Sequence, residues 1–584
     1  MRLCALLVLV PLLVTPAIAQ EPPVFELPEV TIPGRRPQTG GSTPASVTVI
    51  TRAELERLGA RTVADALRLV PEALVRTYGG YGALAEPSIR GFGPGQVLVL
   101  IDGVPLNNVA LGQADLSTVS LLGVERIEVL RGAFGAISGS GAVGGVINIV
   151  TAGGTAPSVR MRAGSFGEYQ LHAGTGGRAV SLAFEASGTG GFRPNSDVAA
   201  VTVIGHLTLG SGIRLTVHHT RMELGTPGDV AFPTPQDRQS VVRTIVQSQW
   251  GDPAGPARGR LYAVAESLGF SSPTGNSTYA TWAVGGELQR EWSVAPGRVL
   301  AAGLEFQRQN LDAVVFGSAV LREAVVGAAY LEFDAALSSR LLVSTAVRLD
   351  GHSAYGATVN PRVGVVVAID DATRLRAGLG RTFRGPTFLQ LYFPGCSDPS
   401  LRPETAWTVE ASLEREWGSR TGALTAFLSE ATDLISGGCP PQNIGSASIV
   451  GLSGDLHGLL GGGWTGRINL TVQQATDRIT GDVLHRVPWV VARAALTHGW
   501  SDASAISVIA EYIGPRIDRD FSVFPAAAVQ MPGYVELALR YQRQMASGWM
   551  IVAGADNLLD ISYEAVKGYP ASGRTFFLTA SKRY

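Results

Sequence analysis

Gly139-Ser140-Gly141-Ala142-Val143-Gly144 carries the G-x-G-x-x-G spacing with which a chain cradles a dinucleotide pyrophosphate. That chemistry needs a helix opening straight after the glycines, because the helix N-terminus supplies the N–H groups that face the phosphates. Here the following residues, Val146 to Val150, form a β-branched run, so the glycines read as turns beside a strand. The eight histidines are scattered, and the adjacent pair His218-His219 would point to opposite faces of a strand, so no zinc spacing arises. Asp229, Asp237 and Asp398 are acids in loop-like stretches that could take Ca2+, yet no stretch repeats aspartate at alternate positions as a dedicated calcium loop does. No nucleophile elbow and no paired-carboxylate site stands out. Neither catalysis nor a cofactor is therefore expected, calcium in outer loops being the one candidate. With 47 basic and 48 acidic residues, nothing points to nucleic acid.

The elements that would position any site begin with a leader. Arg2 precedes an apolar stretch, Leu3 to Val14, broken by Pro11, and Ala17-Ile18-Ala19 is a small-residue cleavage site. Residues 1–19 therefore read as a secretory signal peptide that takes Cys4 with it, and the mature chain is expected to start at Gln20. Charged residues make up only 16% of the chain, against about 25% in soluble proteins. Mean hydropathy is +0.19, yet no apolar run of about 18 residues follows the leader. A weakly charged, glycine-rich secreted chain of this kind suits a transmembrane β-barrel, in which apolar residues alternate with polar ones.

Three regions follow. Residues 20–44 are rich in proline and glycine and read as a flexible arm, with a short β-prone patch at Leu27-Pro28-Glu29-Val30-Thr31-Ile32. Residues 45–151 read as a small α+β domain. In it a strand over Val47–Ile50 leads into a capping box, Thr51-Arg52-Ala53-Glu54, and a helix that stops at Gly59. Thr62 is expected to cap a second helix ended by Pro71. Strands are predicted at Gln96–Ile101, Val124–Leu130 and Val143–Val150, with a turn at Asp102-Gly103. From about Val159 the chain alternates with a period of two: Leu304 and Phe306 share one parity while Glu305, Gln307 and Gln309 hold the other. A soluble sheet would alternate in the same way, but this pattern persists over about 430 residues, too many for one sandwich core. At roughly 19 residues per strand and connection it gives on the order of 22 antiparallel strands, a barrel whose lumen is wide enough to need filling. Residues 152–584 are assigned to that barrel and 45–151 to the α+β plug within it. The closing strand, Arg574–Tyr584, would show Phe576, Leu578, Ala580 and Tyr584 to lipid, with Lys582 reaching the interface.

Several stretches resemble TonB-dependent outer-membrane receptors of the cobalamin and siderophore group. In the plug these are Ser88–Gly91, Val97–Asn107, Val124–Gly132 and Gly141–Ile149. In the barrel they are Phe383–Phe388, Leu401–Thr405, Asn557–Asp560 and the closing strand. The likeness covers almost the whole mature chain in order. It implies that residues 27–32 are the coupling box, which pairs its backbone with a sheet edge of the inner-membrane coupler TonB, itself driven by the proton-motive force. It also implies that Arg90 and Arg131 pair with barrel acids and lock the plug, Glu410 matching one such acid by position. At the second family position, after Gly451-Leu452, stands Ser453, with Asp455 two further on, so a four-charge cluster is not expected. Burying an unpaired arginine costs several kcal/mol, so Arg131 needs another acceptor if it is buried. The chain also has Ala133 where the family has proline, and Ile137-Ser138-Gly139 where it has Leu-Tyr-Gly.

On that topology Cys396 and Cys439 fall in successive outer loops, and an oxidising export route predicts a disulfide between them. Tyr78, Tyr81 and Phe92 would sit near the plug's apical loops by analogy with the family, and Tyr392, Phe393, Phe521 and Phe524 in outer loops. Such aromatics could grip a substrate or form an aromatic girdle. The function expected is energised uptake of a scarce nutrient, a cobalamin-type corrinoid ahead of a ferric siderophore, by a monomer set among outer-membrane lipids and lipopolysaccharide. A passive porin fits poorly with a folded plug, and an adhesin role could coexist with transport.

Overall fold

The computed structural model describes residues 44–584, apart from 153–156, 178, 211, 252–254, 316 and 502, together with the pairs 29–30 and 38–39. The leader and Leu27, Pro28, Thr31 and Ile32 of the coupling box lie outside the described residues. Glu29 and Val30 of the box pair antiparallel with Thr39 and Gln38.

The plug begins with β1 (Ser46–Thr51) and α1 (Arg52–Leu58). Thr51 and Glu54 close the capping box, and Gly59 ends the helix in the left-handed region at φ 61°. The second helix departs from expectation. Thr62 makes no side-chain cap; α2 (Val63–Ala66) passes into a 3-10 turn over Leu67–Leu69, while Asp65 accepts from the Arg61 backbone N–H instead. A hairpin follows, β2 (Ala73–Thr77) with β3 (Ala85–Ile89). Next come β4 (Val97–Ile101), β5 (Val104–Pro105), β6 (Val124–Arg131) and β7 (Gly145–Thr151). The third predicted strand thus begins two residues late, and Val143 packs against barrel residues instead. These strands form a five-stranded sheet in the order β1-β6-β7-β4-β5, with β4 parallel to β7. The helices cover one face of it, burying Leu55, Val63, Leu67 and Val70 against Val97, Val99, Ile127 and Ile147.

Around the plug runs a closed barrel of 22 strands, each antiparallel to its neighbours. The first, Ser158–Gly164, pairs with the last, Thr575–Arg583, so no backbone edge faces lipid. No helix among the described residues is long and apolar enough to cross a membrane. In Arg298–Val315, Leu304 and Phe306 are 63% and 56% exposed on the outer face while Glu305 and Gln307 point inward. Higher on the same strand the chemistry inverts. Leu311, Ala313 and Val315 are buried on the inner face, and Arg308 on the outer face pairs with Glu323. Strands here reach 21 residues, about twice the 9–11 that cross a bilayer, so the inversion marks where the wall rises above the lipid.

Candidate functional site

The plug is seated by two kinds of contact, one ionic and one through its main chain. Pro71 stops the helical segment and puts Glu72 in the left-handed region at φ 64°, and the tight turn after β3 puts Arg90 there at φ 52°. The Arg90 backbone N–H donates to the Glu72 carbonyl at 2.8 Å, and its Nε donates to the Glu72 carboxylate. Its Nη2 crosses to the wall and donates to Glu410 at 2.8 Å, with the guanidinium 4.5 Å from the Phe427 ring centroid. Arg131, at the end of β6, donates to the Thr48 hydroxyl at 2.6 Å, and its Nε lies 3.6 Å from Glu72. Ser453 on the wall donates to the other Glu72 oxygen. A four-charge cluster therefore does form, and the plug itself supplies its second acid. Asp455, the alternative offered by the sequence, pairs with His457.

Burial alone would push the Glu72 carboxyl up, but Arg90 and Arg131 outweigh it and hold the group below its ordinary value. Burial likewise opposes the charge on Arg90, and Glu72 and Glu410 overcome it. Arg131 is left below its usual range because burial prevails over its acids. Gly132 is fixed by this packing: its φ is 79°, and a Cβ there would meet Arg90 Nη1 at 2.6 Å.

The second kind of contact repeats around the lumen. Arg162, Arg260, Arg348, Arg376, Arg493 and Arg540 each pair with an acid of the wall: Glu168, Glu287, Glu305, Glu414, Glu511 and Asp556 in turn. Each then gives an N–H to a plug carbonyl. The acceptors are Gly59, Asp102, Ile137, Ala45, Val70 and Leu58, at 2.8 to 3.2 Å.

The outer end gathers the predicted aromatics unevenly. Tyr78 donates to Glu86 at 3.2 Å, accepts from Arg486 at 2.7 Å and meets Tyr569 edge-on at 5.0 Å. Tyr81 donates to Ser187 at 3.1 Å. Phe92 is only 3% exposed, packed with Val143, Phe427 and Ile449, so it serves the plug–wall core rather than an open surface. Tyr392 ends the short outer helix α3 (Phe388–Tyr392), with Arg322 4.6 Å from its ring, and together with Phe393 it packs beside Ala110. Phe521 and Phe524 are exposed at the tip of the hairpin Arg516–Asp520/Ala527–Met531. Cys396 and Cys439 are joined across outer loops 385–403 and 436–442, with Cα atoms 5.0 Å apart. No group of three His, Cys, Asp or Glu among the described residues could hold a metal; Asp398 and Asp229 accept from Ser400 and Ala231 in their own turns.

Sequence reasoning missed Glu72, Thr48 and the Arg68–Glu536 pair at 2.7 Å. The available sign was a lone acid inside the apolar stretch Leu67–Val75.

Comparison with known proteins covers nearly the whole chain. The family model described as TonB-dependent Receptor Plug Domain matches residues 40–146, and that described as TonB dependent receptor-like, beta-barrel matches residues 169–558. A curated relative, Vitamin B12 transporter BtuB of Vibrio vulnificus, is 26% identical over an alignment covering 94% of each chain. BtuB of Photobacterium profundum is also 26% identical, covering 92% of this chain and 93% of its own. The solved siderophore receptor PirA from Acinetobacter baumannii superposes with a TM-score of 0.78 at 17% identity, covering 92% of this chain and 98% of that one. A point mutant of the ferric enterobactin receptor PfeA from Pseudomonas aeruginosa gives 0.77 at 18%, covering 92% and 98%. At these identities the structural likeness speaks for the fold alone.

Proposed function

The chain belongs to the TonB-dependent receptor family, and we propose that it takes up a corrinoid of the vitamin B12 type across the Gram-negative outer membrane. The observation that carries the reading is the match to curated vitamin B12 transporters at 26% identity over 92–94% of this chain. Short outer connections support it: residues 273–274, 317 and 353–355 are mere turns between long strands, so this side of the rim carries no long loop over the lumen. Substrate binds the plug's apical loops and the tethered outer loops. The coupler then pairs with residues 27–32 and pulls, and the plug shifts against its ionic and main-chain contacts. The work comes from the inner-membrane proton-motive force, and the reading assigns no catalytic step to the chain. Calcium in the outer loops would add rigidity without changing this scheme. A ferric siderophore is the second reading, since the stretches that resemble the family are shared by its cobalamin and siderophore group.

Uptake of labelled cyanocobalamin and of ferric siderophores by cells carrying the full chain, or the chain without residues 27–32, tests both. Cyanocobalamin should accumulate only with the box present. Accumulation of ferric siderophores alone would replace the substrate, and box-independent uptake would end the energised reading.

A further inference from the structure

We propose that solute crosses this protein along one side of the plug, through a slot between β4 and the wall strands Ala257–Ser272 to Leu341–His352, with Arg260 and Arg348 as its latches. The proposal rests on the transport reading and adds a route and a gate to it.

A cavity of about 230 Å³ lies along this side, lined on the plug by Leu98, Leu100 and Gly103. It reaches from Arg260, near the periplasmic start of its strand, to Tyr355 in the outer turn. The plug is held unequally around its circumference. Among the described residues its ion pairs with the wall, Arg90–Glu410, Arg68–Glu536, Arg61–Glu168, Glu56–Arg583 and Glu56–Arg160, fall on strand Glu404–Trp417 or on the sector from Tyr534–Gln544 round to the first barrel strand and the turn after it. Along the slot the plug instead offers uncharged groups: the Asn108 amide donates to Glu266, which also holds Arg243, and two carbonyls accept from the wall. Arg260 donates to that of Asp102 at 3.1 Å and Arg348 to that of Ile137 at 3.2 Å. Both arginines keep carboxylate partners on the wall, Glu287 for Arg260, and Glu305 and Asp350 for Arg348.

Freeing these latches therefore strands no charge. Each arginine stays neutralised, and each plug carbonyl can turn to water. Breaking the buried Arg90–Glu410 pair leaves Glu410 without its cation, which is the costlier step. A pull on the arm thus opens the slot side first. At about 230 Å³ the slot is smaller than the roughly 300–1,000 Å³ of a drug-sized ligand site, so it must widen before a bulky solute can enter.

Ala283 and Ala328 are buried wall residues lining the slot, whereas Ala538 lines a smaller crevice of about 130 Å³ beside the Arg68–Glu536 pair. Ala283→Cys and Ala538→Cys, made separately, would be labelled in cells with membrane-impermeant fluorescein maleimide; Cys396 and Cys439 are joined and do not compete. With cyanocobalamin supplied, labelling at 283 should rise several-fold in energised cells over cells given a protonophore, while labelling at 538 stays flat. Equal rises at both sites would mean that the whole plug leaves, and a rise at 538 alone would move the route; either overturns the slot. Flat labelling at both sites with cyanocobalamin still accumulating overturns it as well, whereas absence of any uptake overturns the transport reading beneath it. As a second measurement, Ala328→Trp should keep surface binding of cyanocobalamin, which reports an intact fold, and lose most uptake, and Ala538→Trp should keep both. Full uptake by the Ala328→Trp protein would count against the slot.

Discussion

Glu72 holds two arginines from a left-handed backbone position, and its own carboxylate is gripped by a serine of the wall. Its removal has a definite sign. Glu72→Gln keeps the shape but leaves Arg90 with Glu410 alone and Arg131 with a hydroxyl, inside a site where Arg90 is 1% exposed. The plug should lose about 3–5 kcal/mol of seating stability, the usual cost of breaking a buried pair. Amide exchange in β1 and β6 would report it as faster opening, with the barrel strands unaffected. Adding Ser453→Glu should restore much of the loss, because that side chain already touches the Glu72 carboxylate and would return the charge from the wall side. No recovery in the double variant would mean that Glu72 acts through its backbone turn and not through its charge. The sequence pointed to Arg90 and Arg131, which lie in the family-like stretches Ser88–Gly91 and Val124–Gly132, and to Glu410, which matches a family acid by position. It could not point to Glu72, whose partner Ser453 is 381 residues away and whose role depends on the left-handed turn after Pro71.

At the scale of elements, what could be read beforehand was what a local period controls. Alternation past Val159 fixed which side chains face lipid, and the spacing of strand and turn fixed their number at 22. Thr51 and Glu54 announced α1 because a capping box is complete within four residues. Thr62 misled because its neighbour Arg61 gave its N–H to Asp65, a choice made by the packing of the crevice below and not by the cap pattern. The aromatics of the apical loops divided for the same reason: Phe92 was claimed by the core, a long-range outcome that no spacing encodes. The link between loops 385–403 and 436–442 makes one rigid rim of two elements separated by a pair of strands. Closing a loop with this separation of 43 contributes about 4 kcal/mol in chain-entropy terms. Cys396→Ser with Cys439→Ser should therefore leave the barrel resistant to detergent at room temperature, speed protease cleavage in both loops, and weaken surface binding of the ligand. Unchanged cleavage would show that α3 and the Arg402–Asp433 pair, 2.6 Å apart, hold the rim without the bridge.

For the whole molecule, the wall is a self-neutralised cylinder that grips its plug through the plug's main chain. Six wall arginines have wall acids as partners and donate only a spare N–H inward, so the plug's seat depends little on its side chains at those points. Glu410 and Glu536 are different, because Arg90 and Arg68, both of the plug, are the cations paired with them. It follows that deleting residues 45–151 should still give a closed barrel, recognised by heat-modifiable migration on a gel, with two acids left uncompensated in the lumen. Glu410→Gln with Glu536→Gln should then have opposite effects in the two settings. In the full chain it removes the partners of buried Arg90 and half-buried Arg68 and loosens the plug. In the plugless barrel it removes mutual and solvation penalties at pH 7 and raises the temperature at which the barrel unfolds. A loss of barrel stability from the double substitution in both settings would show that these acids hold the wall together, and that the cylinder is not independent of what fills it.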